Sequence, residues 1–205
     1  MTDPVPPIPA FMQQMGETII KTAGALNPDE MATFFREMLD LKRVYVAGAG
    51  RSGFVAKAFG LRLMHLGYDA YVVGETITPA FKPGDTLVVF SGSGETHSMV
   101  SICETARELG GTICLITASP ASRMRELADY VVNLGDLTDT YRHEKSSFEA
   151  RQLTGKYRSS GSSFAPLGTL FETLALVFSD AVISSLMEAK KAGISDMERR
   201  LTNVE

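Results

Sequence analysis

Two short stretches concentrate the residues able to grip an anion. Ser91-Gly92-Ser93-Gly94-Glu95-Thr96 interleaves hydroxyls with glycines, and Gly48-Ala49-Gly50-Arg51-Ser52-Gly53 sets a guanidinium and a further hydroxyl among glycines. Glycine lets the backbone take φ > 0 and come close to a ligand, while a hydroxyl donates to an oxygen. Where such a loop opens a helix, the unpaired N–H groups of the first turn and about half a positive charge from the helix dipole are added. The Ser91–Thr96 stretch thus has the makings of a cradle for a phosphate monoester without lysine or metal. A capping role for Ser93 or Thr96 is compatible with this, because capping draws on the same donors. The other stretch also fits G-x-G-x-x-G, and Glu75 stands where a dinucleotide site would place its ribose-binding acid. A nicotinamide site therefore competes, but a dinucleotide domain has no need of the second loop.

Proton transfer would need a base and a polarising acid. Glu172 falls near the start of a predicted helix among Leu170, Phe171, Leu174 and Leu176, apolar neighbours that would desolvate a carboxylate and raise its pKa toward working pH. Its alternative role is a partly exposed carboxylate favoured by the positive end of the helix dipole. Glu75 is the reserve base, otherwise a solvated turn residue. His65, in the last turn of a predicted helix beside Arg62, suits the negative end of that helix. His97 receives no role. His65, His97 and His143 lack ligand-like spacing, and Cys103 and Cys114 fall in a predicted helix and strand, which suits apolar packing in a reducing compartment.

The elements that must position these groups alternate as βα units do. Two helices come first: Ile8 to Ala25, then one begun by Asn27 as N-cap and Pro28 at the first helical position, forming an antiparallel pair or arm over residues 1–41. Strands are predicted at Val44–Ala47, Ala70–Val73, Thr86–Phe90, Thr112–Thr117 and Tyr130–Leu134. Helices are predicted at about Ser52–Leu66 and Thr96–Leu109, a shorter one begins at Ser119-Pro120, and a long one spans Leu167 to about Lys190, followed by a charged tail. Continuous apolar runs such as Leu87-Val88-Val89-Phe90 mean that both sheet faces are covered, so the expected fold is α/β, three layers around a five-stranded parallel sheet, over residues 42–205. Ligands in such sheets bind beyond the strand C-terminal ends, where both loops fall. Gly135–Phe164 is polar and aperiodic, a surface connection or a lid.

With Phe90-Ser91-Gly92-Ser93-Gly94-Glu95-Thr96 and the upstream glycine loop together, the chain resembles the sugar isomerase (SIS) domain family, a flavodoxin-like fold that binds phosphosugars through these two loops. Arg62-Leu63-Met64-His65-Leu66-Gly67, Val73-Gly74-Glu75-Thr76 and Pro166-Leu167-Gly168-Thr169-Leu170-Phe171-Glu172 are similar to the 6-phospho-3-hexuloisomerase branch of that family, and the similarity runs from about Val44 to the chain end. The resemblance implies that Ser91, Ser93 and Thr96 hold the phosphate, with Gly50, Arg51 and Ser52 closing over it or the sugar. It implies Glu172 as base, and His65 as a group entering an active site, its own or a neighbouring subunit's, the neighbour's being favoured by a helix end roughly 20 Å from its own loops. The resemblance also implies a homo-oligomer, a tetramer with a dimer as the alternative, and a metal-free and cofactor-free interconversion of D-arabino-hex-3-ulose 6-phosphate and fructose 6-phosphate. A silent phosphosugar sensor and a different SIS isomerase are the rivals; no helix-turn-helix output module is apparent.

Composition is close to the average of soluble globular proteins. A net charge of −4 gives no nucleic-acid footprint, and Met1–Ala10 carries prolines and an Asp in place of a secretory signal, so a cytoplasmic protein is expected. Leu170–Met187 is broken by Glu172, Ser179 and Asp180, as a buried helix would be and a membrane span would not.

Overall fold

Side chains alternate across a strand, and here the alternation divides the core in two. Val44 and Val46, Val88 and Phe90, and Cys114 and Ile116 face one layer, while Tyr45 and Ala47, Leu87 and Val89, and Ile113 and Leu115 face the other. The computed structural model of the chain describes residues 7–135 and 169–201. Within these, β1 (Arg43–Gly48), β2 (Asp69–Val72), β3 (Thr86–Phe90), β4 (Thr112–Thr117) and β5 (Tyr130–Asn133) form a five-stranded sheet in the order β2-β1-β3-β4-β5. Every pairing is parallel.

On the first face lie α2 (Pro28–Asp40), α3 (Arg51–His65) and α6 (Thr169–Lys190), contributing Phe34, Met38, Phe59, Leu63, Phe171, Leu174 and Ile183. On the second lie α4 (His97–Glu108) and α5 (Arg123–Leu127), contributing Met99, Cys103, Ala106 and Met124. Each large side chain buried this way stabilises the fold by about 1.5–3 kcal/mol before entropy is counted. By length and composition α6 could cross a membrane, yet one side of it, Leu170 to Leu186, is packed into this core. The expected three-layer α/β architecture is what forms.

The N-terminal helices differ from one another. Asn27 caps α2 by accepting from the N–H groups of Asp29 (2.9 Å) and Glu30 (3.3 Å), as its position before Pro28 predicts. The Tyr68 hydroxyl then donates to the carbonyl of Met38, and Thr86 to the Glu37 carboxylate, fixing α2 to the domain. By contrast α1 (Ile8–Ala25) has no fully buried residue and rests on α6.

Two sequence expectations shift. The short helix begins at Arg123, not at Ser119-Pro120, because Ser122 is extended and its hydroxyl accepts from the Arg125 N–H, whereas the Ser119 hydroxyl is used on the Ala121 carbonyl. The expected tail contains a further helix, α7 (Ile194–Glu198), whose Asp196 accepts from the Gly193 N–H at 2.8 Å. The polar segment and the Pro166-Leu167-Gly168 start of the long helix lie outside the described residues.

Candidate active site

The two anion-gripping loops leave the sheet side by side. Gly48, the last residue of β1, is in register with Phe90, the last of β3, so residues 49–53 and 91–96 emerge at the same level of the C-terminal edge. The strand order reverses direction between β1 and β3, which is the crevice where parallel sheets bind ligands.

The glycine fingerprint has a local explanation that requires no dinucleotide. A Cβ on Gly48 would lie 2.7 Å from the Ser52 backbone, and one on Gly53 would lie 2.8 Å from the Gly48 carbonyl oxygen. The end of β1 and the first turn of α3 are thus in backbone contact. Gly50, the N-cap of α3, has φ 59 and ψ −131, a conformation that side chains resist. This turn brings Arg51 and Ser52 onto the first positions of α3.

In the Ser91–Thr96 loop, the hydroxyl of Ser91 accepts from the Gly94 N–H and that of Ser93 from the Glu95 N–H, both at 3.2 Å. Thr96 is the N-cap of α4, yet its hydroxyl makes no capping bond. A helix N-terminus whose cap side chain is not engaged retains donors for an anion.

Glu172 arrives from α6, far away in sequence. Its carboxylate is 13% exposed, and Oε2 accepts from Arg51 Nε at 3.2 Å. Burial pushes its pKa above the ordinary carboxylate value, opposed by the Arg51 guanidinium and less strongly by the Ser52 hydroxyl. A partly dry carboxylate beside a loop that leaves the ligand-binding edge of the sheet is equipped to take a proton from a bound ligand. Glu75 also reaches this edge, beyond β2, but it is 49% exposed and paired with Lys57 at 2.5 Å. Geometry therefore separates the two carboxylates, one desolvated and against Arg51, the other half-exposed and paired with Lys57.

His65 is not brought to these loops within its own chain. It ends α3, whose 15 residues separate it from Arg51 by roughly 20 Å. It is 4% exposed, its Nδ1 has no hydrogen-bond partner, and burial, with a smaller push from Arg62, lowers its pKa. His97 begins α4. Among the described residues no group of three or more His, Cys, Asp or Glu could hold a metal ion.

Residues 37–141 match the family model of the SIS domain. The chain is a SIS domain protein. Over 95% of its length it is 35% identical to the 3-hexulose-6-phosphate isomerase of Bacillus subtilis, covering 97% of that protein. Its fold matches the crystal structure of a hypothetical protein with a TM-score of 0.80 and 33% identity, over 96% of this chain and 97% of the other. It also matches a hypothetical protein of Methanococcus jannaschii whose structure was described as inferring a 3-hexulose-6-phosphate isomerase function. There the TM-score is 0.77 and the identity 27%, covering 95% of this chain and 98% of that one. This SIS domain protein thus belongs to a family of phosphosugar isomerases and shares their architecture over nearly its whole length.

Proposed function

We propose that this SIS domain protein interconverts D-arabino-hex-3-ulose 6-phosphate and D-fructose 6-phosphate. The observation carrying the proposal is the desolvated Glu172 carboxylate beside Arg51 and Ser52, in the loop that leaves the sheet next to the Ser91–Thr96 loop. Its similarity to the 3-hexulose-6-phosphate isomerase of Bacillus subtilis supports the same choice of substrate. The phosphate is held by Ser91, Ser93, Thr96 and the first N–H groups of α4, and Arg51 closes over the ester or the sugar. Glu172 removes the proton on C2, the C2–H electrons form the C2=C3 double bond, and the C3 carbonyl oxygen takes up a proton. The resulting 2,3-enediol collapses as the C2 hydroxyl loses its proton and C3 gains one, leaving the carbonyl at C2. No atom is gained or lost overall.

The acid that polarises the carbonyl is proposed to be His65 from a second copy of the chain, in a homo-oligomer. Support comes from α3, whose outer side exposes Phe54 (72%) and Leu61 (51%), a row of apolar side chains that a second copy would cover. The His65 imidazole must turn outward to serve there.

Incubation with fructose 6-phosphate in deuterated water, followed by NMR, tests the proposal. Formation of the 3-ketose, with deuterium entering at C2 or C3 unless the base keeps its proton shielded, is the expected outcome. Binding with neither product nor exchange would leave a phosphosugar receptor and remove the enzymatic role.

A further inference from the structure

A carboxylate inside a phosphate-gripping loop is out of place on charge grounds, since it would repel a dianion held a few ångströms away. Glu95 is such a residue, between Gly94 and Thr96. Its side chain is turned onto the next βα connection: Oε1 accepts from the backbone N–H of Arg123, the first residue of α5, at 2.7 Å. The contact is returned with opposite polarity, because the Met124 N–H donates to the Gly94 carbonyl at 3.1 Å. Two residues further back, the Ala118 N–H (3.1 Å) and the Thr117 hydroxyl (3.3 Å) both donate to the Gly92 carbonyl. Gly94 has φ 64 and packs so closely that a Cβ there would lie 2.1 Å from the Ser122 hydroxyl oxygen.

We propose that Glu95 is a positioning residue, a strut that ties the Ser91–Thr96 loop to the start of α5 and so holds Ser93 and Thr96 in the phosphate-accepting arrangement. The strut rests on the phosphate-loop assignment made above. The carbonyls of Gly92 and Gly94 and Oε1 of Glu95 are engaged by residues 117–124, while the Gly94 and Glu95 N–H groups are engaged by the Ser91 and Ser93 hydroxyl oxygens. Three of the loop's acceptors are thereby turned away from a ligand, and the hydroxyl protons of Ser91, Ser93 and Thr96 are the donors it can offer an anion. The Glu95 charge is spent on a backbone donor at a helix start, where a carboxylate is favoured.

The bond can be cut from either side. Glu95→Ala removes the acceptor; Arg123→Pro removes the donor at a first helical position that tolerates proline, after a residue already extended as proline demands. Arg123→Ala keeps the N–H and is the reference for the lost ion pairs to Glu126 and Glu104. Expected are a roughly tenfold rise in KM for fructose 6-phosphate in Glu95→Ala, and the same in Arg123→Pro relative to Arg123→Ala, with kcat held within about threefold. The double variant should be no worse than either single one. Glu95→Gln, which retains an acceptor oxygen, should recover KM to within about threefold of the parent.

Unchanged KM in either single variant, additive effects, or a Gln variant as poor as Ala would overturn the strut; the last would mean that the charge itself acts. If Glu95→Ala fails to fold by circular dichroism, Arg123→Pro against Arg123→Ala decides alone. Calorimetry of the unmodified protein with fructose 6-phosphate and with inorganic phosphate separates the two levels. Absence of binding there would sink the phosphate loop itself, whereas normal binding with insensitive variants would sink only the strut.

Discussion

Replacing Arg51 by Gln should move the acid limb of the pH–rate profile upward. The guanidinium lies 3.2 Å from the Glu172 carboxylate and favours its ionised form. Two opposite unit charges at that distance attract by about 1.3 kcal/mol at the dielectric of water. Arg51 is 60% exposed, so solvent screening trims the pair to about 0.5–1 kcal/mol. At 1.36 kcal/mol per pH unit, its loss raises the Glu172 pKa by about half a unit. Since the base works as the carboxylate, activity on the acid side must fall at correspondingly higher pH. The assay is kcat/KM for fructose 6-phosphate across about pH 4–9, because that ratio reports ionisations of the free enzyme. The height of the plateau will also drop if Arg51 touches the substrate, and only the position of the limb is diagnostic. Arg51→Lys, which keeps a positive charge, should restore most of it. A limb that stays in place, or moves to lower pH, would refute Glu172 as the titrating base under Arg51 control.

Three further outcomes are expected. Glu172→Gln should keep fructose 6-phosphate affinity within about threefold while lowering turnover by about 10²–10⁴-fold; undiminished turnover removes Glu172 from the reaction. The same variant should melt higher than the parent at neutral pH, by on the order of 2 °C. A carboxyl whose folded pKa is raised contributes its full stability below its unfolded pKa and loses it as pH rises through the folded value, so the difference should shrink on acidification. A lower melting point at neutral pH would contradict the burial cost. Finally, mixing denatured Glu172→Gln and His65→Ala chains and refolding them together should regain part of the activity if each site draws on two chains, and recovery no better than the separate variants would confine His65 to a packing role.

Much of this architecture was legible in the sequence because its signals are local. The apolar tetrad Leu87–Phe90 announces a strand covered on both faces, and Asn27-Pro28 announces a helix start. The ambiguity of the G-x-G-x-x-G stretch dissolves only in three dimensions, where Gly48 and Gly53 turn out to serve the contact between β1 and α3. Long-range pairing was the harder part. Nothing in the spacing of Arg51 and Glu172 foretells their ion pair, and apolar neighbours in sequence gave the only hint that Glu172 would be desolvated. Glu95 carried no signal toward Arg123, since a side chain bonding a backbone N–H leaves no complementary residue type to find. The start of α5 was misplaced for a related reason. Ser119-Pro120 and Ser122 are both plausible caps, and the choice is made by which hydroxyl meets an N–H.

Phe59 of α3 meets Phe90 of β3 edge-on, with ring centroids 5.8 Å apart at 74°. Arg51 and Ser52 lead the helix that carries one ring, and Ser91 directly follows the other. The spacing of the two gripping loops, given by the β1–β3 register, is therefore braced by an aromatic contact in the interior. Warming should leave that spacing untouched until the interior itself gives way, so substrate affinity and tertiary structure ought to vanish over the same interval of temperature, with no earlier thermal inactivation confined to the mouth.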